Sequence, residues 1–227
     1  MKKKPKIVAL VPMRHESERV KQKNYRDFNG KPLFYWILET LLSCPSISEI
    51  YIDTDSPVIK ETAPKVGDRV HIIDRPKELC GGDVPMNSIL LYDVEFAKAD
   101  YYIQTHTTNP LLRKQTIEEA IREFLRQGGY DSLFSVTKLQ SRLWDERSKP
   151  INHNVDVLAR TQDLPAVFEE NSNIYIFTKE VLEKRKNRIG DRPFMFEINK
   201  MEAWDIDEEL DFTLAELIHK QCHFGVS

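Results

Sequence analysis

The sequence predicts an α/β fold in which a mainly parallel sheet carries helices on both faces. Three observations predict it. Short apolar runs at residues 7–11, 50–52, 70–73 and 101–104 show little polar alternation, as strands buried on both faces require. Between them lie stretches whose apolar residues recur at helical spacing. Strand and helix patterns then alternate along the chain without an internal repeat, low-complexity tract or flexible linker, so the 227 residues read as one domain.

Residues 7–11 form the first strand, and the polar segment 14–30 after it is too long for an ordinary strand-to-helix turn, which marks it as functional. Pro32 stands where a helix starts, and Leu33, Ile37, Leu38, Leu41 and Leu42 share one face of that helix. The strand at 50–52 ends in Asp53, Thr54 and Asp55, which read as a cap for a helix over 58–66 that Pro64 weakens, with an approach to metal or nucleotide as the other reading. A third strand covers 70–73, and after the break at Gly81 and Gly82 a helix runs over 88–96. A strand at 101–104, a helix at 116–125 closed by Gly128 and Gly129, and a strand at 132–136 continue the alternation. Residues 138–170 lose the pattern and read as an excursion such as an arm, lid or subunit contact. A strand at 173–177 and a closing helix with Phe212, Ala215, Leu217 and Ile218 complete the chain. In such a sheet, ligands bind beyond the carboxyl ends of the strands.

Composition narrows the partners. Lys plus Arg number 33 against 36 Asp plus Glu, a net charge of -3, so no nucleic acid or membrane is expected and any anion site is local. Cys44, Cys80 and Cys222 are odd in number and far apart, which argues against a disulfide framework or a zinc knuckle and predicts a reducing, cytoplasmic setting. Lys2, Lys3 and Lys4 ahead of the first apolar run have the look of a secretory leader, but that run is short and stops at Pro12, so it reads as a buried strand. No other stretch approaches the roughly 20 apolar residues that span a bilayer.

Two constellations carry chemistry. The loop after the first strand offers Arg14, Arg19 and Lys23, cations suited to a triphosphate together with loop N–H groups, although the same loop also reads as a solvated turn in which Glu16 and Glu18 neutralise the bases. Neither the P-loop pattern nor the dinucleotide-binding glycine pattern occurs there. In an extended segment Asp205 and Asp207 project to one face, two hard oxygen ligands for one magnesium ion that also needs substrate phosphates. Glu208, Glu209 and Asp211 read instead as an acidic helix start. Residues 75–79 and 106–111 lie in loops after strands and suit a base or sugar pocket; His106 has no second His or Cys at ligand spacing, so it reads as a hydrogen-bonding pocket histidine or a plain loop residue rather than a metal ligand.

In order, these pieces resemble the acylneuraminate cytidylyltransferase family, the CMP-sialic acid synthetases, and the relatives that activate 3-deoxy-manno-octulosonate. The family's opening Arg-x-x-Ser, Lys-Asn and Gly-Lys-Pro-Leu correspond to Arg14 and Ser17, Lys23 and Asn24, and residues 30–33. Its Ser-Thr-Asp, Arg-Pro-x-Glu-Leu and Gln-Pro-Thr-Ser-Pro-Leu correspond to Thr54 and Asp55, residues 75–79 and residues 106–111. Residues 168–176 and 205–211 match the last two signposts, so the resemblance spans nearly the whole chain.

The resemblance implies a Rossmann-like nucleotidyltransferase fold with a dimerisation arm at 138–170 that completes the neighbour's sugar pocket in a homodimer. It implies transfer of CMP from CTP to the anomeric hydroxyl of an acidic keto sugar, with release of pyrophosphate. Arg14, Arg19 and Lys23 would face the phosphates, Asp205 and Asp207 would hold Mg2+, and Pro12, Met13, Asn24, Arg75 and Asn87 would meet the nucleotide. His106, Glu169 and Asn171 would meet the sugar. Three departures stand out: Glu18 replaces a lysine, His106 a glutamine, and Glu169 an arginine that would hold the sugar carboxylate. Either another cation, Lys200 or Arg142, takes that role, or the sugar carries an amino group. The alternatives are a phosphorylated acceptor, or a nucleotide-binding protein without turnover.

Overall fold

The computed structural model describes residues 4–224, so Lys2 and Lys3 lie outside the described residues. The central strands are β1 (Ile7–Leu10), β4 (Ile47–Thr54), β5 (Val70–Asp74) and β6 (Tyr101–Gln104), all parallel to one another. Between β1 and β4 come a two-residue hairpin, β2 (Asp27–Phe28) with β3 (Lys31–Pro32), and helix α1 (Leu33–Leu42). Helices α2 (Pro57–Thr62) and α3 (Met86–Phe96) lead into β5 and β6, and α4 (Lys114–Gln127) leads into β7 (Ser132–Leu139). The chain closes with β8 (Val167–Phe177), α5 (Lys179–Arg185), β9 (Pro193–Glu197) and α6 (Glu209–Phe224). The seven-stranded sheet has the order β5-β4-β1-β6-β8-β7-β9. One strand departs from parallel: β8 runs antiparallel to both β6 and β7, with Tyr102 opposite Phe177 and Thr137 opposite Glu169.

Burial explains the layering. Ile7 and Ala9 face a core shared with Ile37, Leu38 and Leu41 of α1 and Ile117, Ile121 and Phe124 of α4. Val8 and Leu10 face the opposite core, with Leu90 and Val94 of α3, Leu182 of α5, and Tyr102, Tyr175 and Phe177. β1 is therefore apolar at every position because both of its faces are covered. A third cluster forms where α6 closes over the hairpin: Val20, Phe28 and Leu33 pack against Phe212, Ala215 and Ile206. Phe28 meets Phe212 edge-on at 5.4 Å between centroids.

Several boundaries differ from the sequence reading, each for a physical reason. The helix expected over 58–66 starts at Pro57 and ends at Thr62, with residues Ala63–Val66 winding on as a 3-10 turn around Pro64. Its cap is Ser56, whose Oγ accepts from Ile59 N, whereas Asp53 and Asp55 bond elsewhere. The loop 14–30 runs into the β2–β3 hairpin, turned by Asn29 and Gly30 at φ 52° and 85°, the left-handed pair that such a two-residue turn demands. The irregular excursion is shorter than 138–170, since β7 extends to Leu139 and β8 begins at Val167. Among the described residues, no helix is long and apolar enough to cross a membrane.

Phe28 is fully buried where the hairpin meets α6. Phe28→Ala is expected to lower unfolding stability by about 3–5 kcal/mol in urea titration, and a change under 1 kcal/mol would show that this cluster does not hold the loop.

Candidate active site

The first loop leaves the sheet in register with its neighbour: Val11 N donates to Tyr51 O and Met13 N to Asp53 O, each at 2.9 Å. Beyond Met13 the chain folds back, and Val20 anchors it in the third core cluster. Asn24 staples the loop from inside. Its Nδ2 donates to Arg14 O at 2.8 Å, and its Oδ1 accepts from Thr107 Oγ1. Lys23 Nζ donates to Ile206 O at 2.6 Å, and burial holds this ammonium below its ordinary pKa range against the opposing pull of Asp205 and Asp207.

Pro12, Met13, Arg14, Arg19, Lys23, Asn24, Arg75 and His106 all line one cavity of about 350 Å³ beyond the strand ends, with Asp207 at its edge. The segment after Cys80 closes it from above, for a Cβ at Gly82 would stand 2.8 Å from Glu18 Oε1 and 3.4 Å from Arg14 Nη1. A second cavity of about 500 Å³ is lined by Glu169, Asn171, Lys200, Asp205 and again Asp207. The two spaces meet at that aspartate. Asn87 lies apart from both linings, where its Oδ1 accepts from Arg188 N at 3.2 Å. His106, read as a sugar residue, stands in the first cavity with the loop cations. A larger space of about 610 Å³ by Leu111, Met201 and Cys222 contains none of the candidate residues.

Asp205 and Asp207 flank Ile206, which is buried, so their carboxylates point into the clefts. The segment is pinned twice: Ile206 N donates to Thr108 O at 2.9 Å, and Ile206 O accepts from Lys23. Asp205 sits above the usual carboxylate range, first through desolvation; the Asp207 charge adds to this, while a hydrogen bond with Thr108 and the Lys23 charge oppose it. Asp207 Oδ1 pairs with Arg19 Nη2 at 2.6 Å. Among the described residues no group of three or more His, Cys, Asp or Glu is placed to hold a metal ion. Asp211 does what an acidic helix start does: its Oδ2 accepts from Asp207 N at 3.1 Å and Glu208 N at 2.8 Å.

Arg75 reaches the cavity as part of a buried ion pair. Its Nε bonds Asp53 Oδ1 and its Nη2 donates to Asp53 O at 3.1 Å, with both side chains almost wholly enclosed. Behind Asp53 stands Asp93 of α3; Asp53 Oδ2 and Asp93 Oδ1 are each buried without another partner. A proton on Asp93 resolves this, and burial beside the Asp53 charge raises the Asp93 pKa well above its ordinary value. Asn171 is similarly fixed in the second cavity, where its Oδ1 accepts from Ser135 Oγ at 2.6 Å and its Nδ2 donates to Thr137 Oγ1 at 2.8 Å.

The sequence reading missed Gln104 and Arg188. Arg188 lies over the Tyr175 ring at 3.5 Å and donates to Gln104 Oε1, while Gln104 Nε2 lies 2.9 Å from His106 Nε2. Burial, then the Arg188 and Lys23 charges, push the His106 pKa down to about 3, so the ring is neutral at physiological pH.

The structure of a CMP:2-keto-3-deoxy-manno-octonic acid synthetase complexed with CTP has the same fold, with a TM-score of 0.70 at 16% identity, covering 95% of this chain and 99% of that one. The likeness is one of fold, with the cleft at the carboxyl ends of the strands. The chain belongs to the cytidylyltransferase family, whose profile matches residues 8–223. It is 25% identical over 231 residues to a pseudaminic acid cytidylyltransferase of Campylobacter jejuni, covering 96% of this chain and 98% of the relative. It is 26% identical over 217 residues to N-acylneuraminate cytidylyltransferase A of Danio rerio, covering 92% of this chain; it spans 50% of that longer protein.

The Asp53 arrangement is directly testable. Asp53→Asn leaves the buried Arg75 charge without its counter-ion and is expected to cost about 3–5 kcal/mol of unfolding free energy. Asp93→Asn, which keeps a neutral donor, is expected to cost about 1 kcal/mol or less. Equal losses in denaturant titration would contradict a protonated Asp93.

Proposed function

We propose that this chain transfers CMP from CTP to the anomeric hydroxyl of a sialic-acid-like acidic keto sugar and releases pyrophosphate. The observation that carries the reading is Asp207, which borders both the cation-lined cavity and the cavity holding Asp205, Asn171 and Glu169. The names of the Campylobacter jejuni and Danio rerio relatives support the sugar class.

In this reading the first cavity takes CTP. Arg14, Arg19 and Lys23 hold the triphosphate and stabilise charge on the departing pyrophosphate. Arg19, whose side chain is 60% exposed, exchanges Asp207 for a phosphate by rotating at the surface. Pro12, Met13, Asn24 and Arg75 meet base and ribose, with Arg75 held still by Asp53. Asp205 and Asp207 would hold a magnesium ion, which would supply positive charge beside the phosphates and lower the pKa of the attacking hydroxyl. The sugar enters the second cavity, placed in line for attack by Asn171. Lys200 lines that cavity and takes the sugar carboxylate; Arg142 lies in the excursion, where its Nη2 bonds Ala159 O. The remaining charged residues there, Glu169, Glu170, Asp205 and Asp207, disfavour a phosphorylated acceptor and favour a sugar with a cationic substituent near Glu169.

The excursion between β7 and β8 leaves Trp144, Val157 and Leu158 exposed, Leu158 at 91%. We assign this face to a homodimer contact, and the free thiols of Cys44 and Cys80 suit a cytoplasmic setting. Leu158→Asp or Trp144→Asp is expected to halve the mass seen by light scattering; an unchanged mass would remove the contact from this segment.

The reaction is tested by pyrophosphate release from each of the four nucleoside triphosphates with magnesium. The acceptor panel contains neuraminate, pseudaminate, legionaminate, octulosonate and amino-substituted keto acids. Release with CTP and one keto sugar is expected, with Asp207→Asn lowering kcat at least about a hundredfold. Turnover with sugar 1-phosphates, or CTP binding with silence across the whole panel, would defeat the assignment.

A further inference from the structure

Beneath the first cavity, three side chains form a line that the mechanism above does not use. Arg188, from the turn after α5, donates through Nη1 to Gln104 Oε1 and thereby sets which way the buried Gln104 amide points. Gln104 Nε2 then donates to Thr105 O at 3.1 Å and faces His106 Nε2 at 2.9 Å. An amide nitrogen only donates, so His106 Nε2 must accept, and the single proton of the neutral ring belongs on Nδ1. Nδ1 has no protein partner and is not one of the enclosed unpaired atoms among the described residues, which leaves it open to the cavity that His106 lines.

The outer end of the line is held as firmly as the inner one. Arg188 is stacked at 3.5 Å on Tyr175, and its backbone N–H donates to Asn87 Oδ1 at 3.2 Å. Tyr175 in turn donates its hydroxyl proton to Glu170 Oε1 and accepts from Ser172 Oγ at 3.2 Å. The charged groups around the ring are Arg188 below, Lys23 from the first loop, and Arg14, Arg19, Arg75 and Asp207 in the cavity wall. Among so many cations, a neutral donor adds direction without adding another repelled charge.

We propose that Arg188 and Gln104 are positioning residues that hold His106 as its Nδ1–H tautomer, presenting one neutral N–H to a carboxylate, hydroxyl or phosphate oxygen of the substrate. The identity of that substrate rests on the function proposed above; the tautomer does not.

The test is 15N NMR of the His106 ring in the ligand-free protein, followed by steady-state kinetics of the same variants. The unsubstituted protein is expected to show an Nδ1–H ring. Gln104→Met and Arg188→Met are expected to shift the ring toward Nε2–H and to lower kcat/KM about 10- to 100-fold, while Arg188→Lys, which keeps a cationic donor, recovers most of both. An Nε2–H ring in the unsubstituted protein, or an Nδ1–H ring that persists in both methionine variants, overturns the relay. A shifted ring with unchanged kcat/KM overturns its role in positioning. Failure of the proposed reaction would show separately, as absent turnover in the unsubstituted chain, with the ring readout still deciding the relay.

Discussion

The site depends on one buried residue. Ile206 packs with Val20, Phe28 and Leu33 in the cluster that α6 closes, and its backbone is gripped on one side by Thr108 and on the other by Lys23. With that side chain inward, the residues before and after it must turn outward, which delivers Asp205 to the second cleft and Asp207 to the point where the two clefts meet. The grip is also an electrostatic coupling, since the ammonium that bonds the Ile206 carbonyl is the one the two aspartates act upon.

Charge is divided between the two clefts. Cations crowd the first, which is natural for a triphosphate, whereas Lys200 faces several carboxylates in the second. The residues that aim these groups are buried or half-buried and mostly neutral or internally compensated: Asn24 between two loops, Asp53 between Arg75 and Asp93, Asn171 between Ser135 and Thr137. Fixed dipoles and paired charges of this kind hold the groups they bond in one orientation.

Much of this was legible in the sequence where a local pattern carried it. The central strands announced themselves because β1 is apolar on both faces, and Asp205 and Asp207 because an i, i+2 spacing fixes their common side. α5 and β9 went unread because α5 has seven residues with Val181 and Leu182 as its apolar pair, and β9 is a five-residue edge strand opened by Pro193. The Asn29 and Gly30 pair carries a hairpin signal, but its flanking strands are two residues long and show no alternation inside a charged loop. Asp53 read as a cap because its true partner, Arg75, is 22 residues away, and Arg188 gave no signal because Gln104 lies 84 residues from it. Long-range polar pairing leaves no period in a sequence, and here it is what arranges the site.

The central claim is that Asp205 and Asp207 bring metal and triphosphate together at the junction of the clefts. The most direct measurement is anomalous diffraction from crystals soaked with Mn2+ and a non-hydrolysable CTP analogue. The account predicts a metal peak ligated by Asp205, Asp207 and phosphate oxygens, with the cytidine beside Pro12 and Met13. A triphosphate bound without metal at these aspartates, or a nucleotide lodged in the cavity of Glu169 and Asn171, would contradict it.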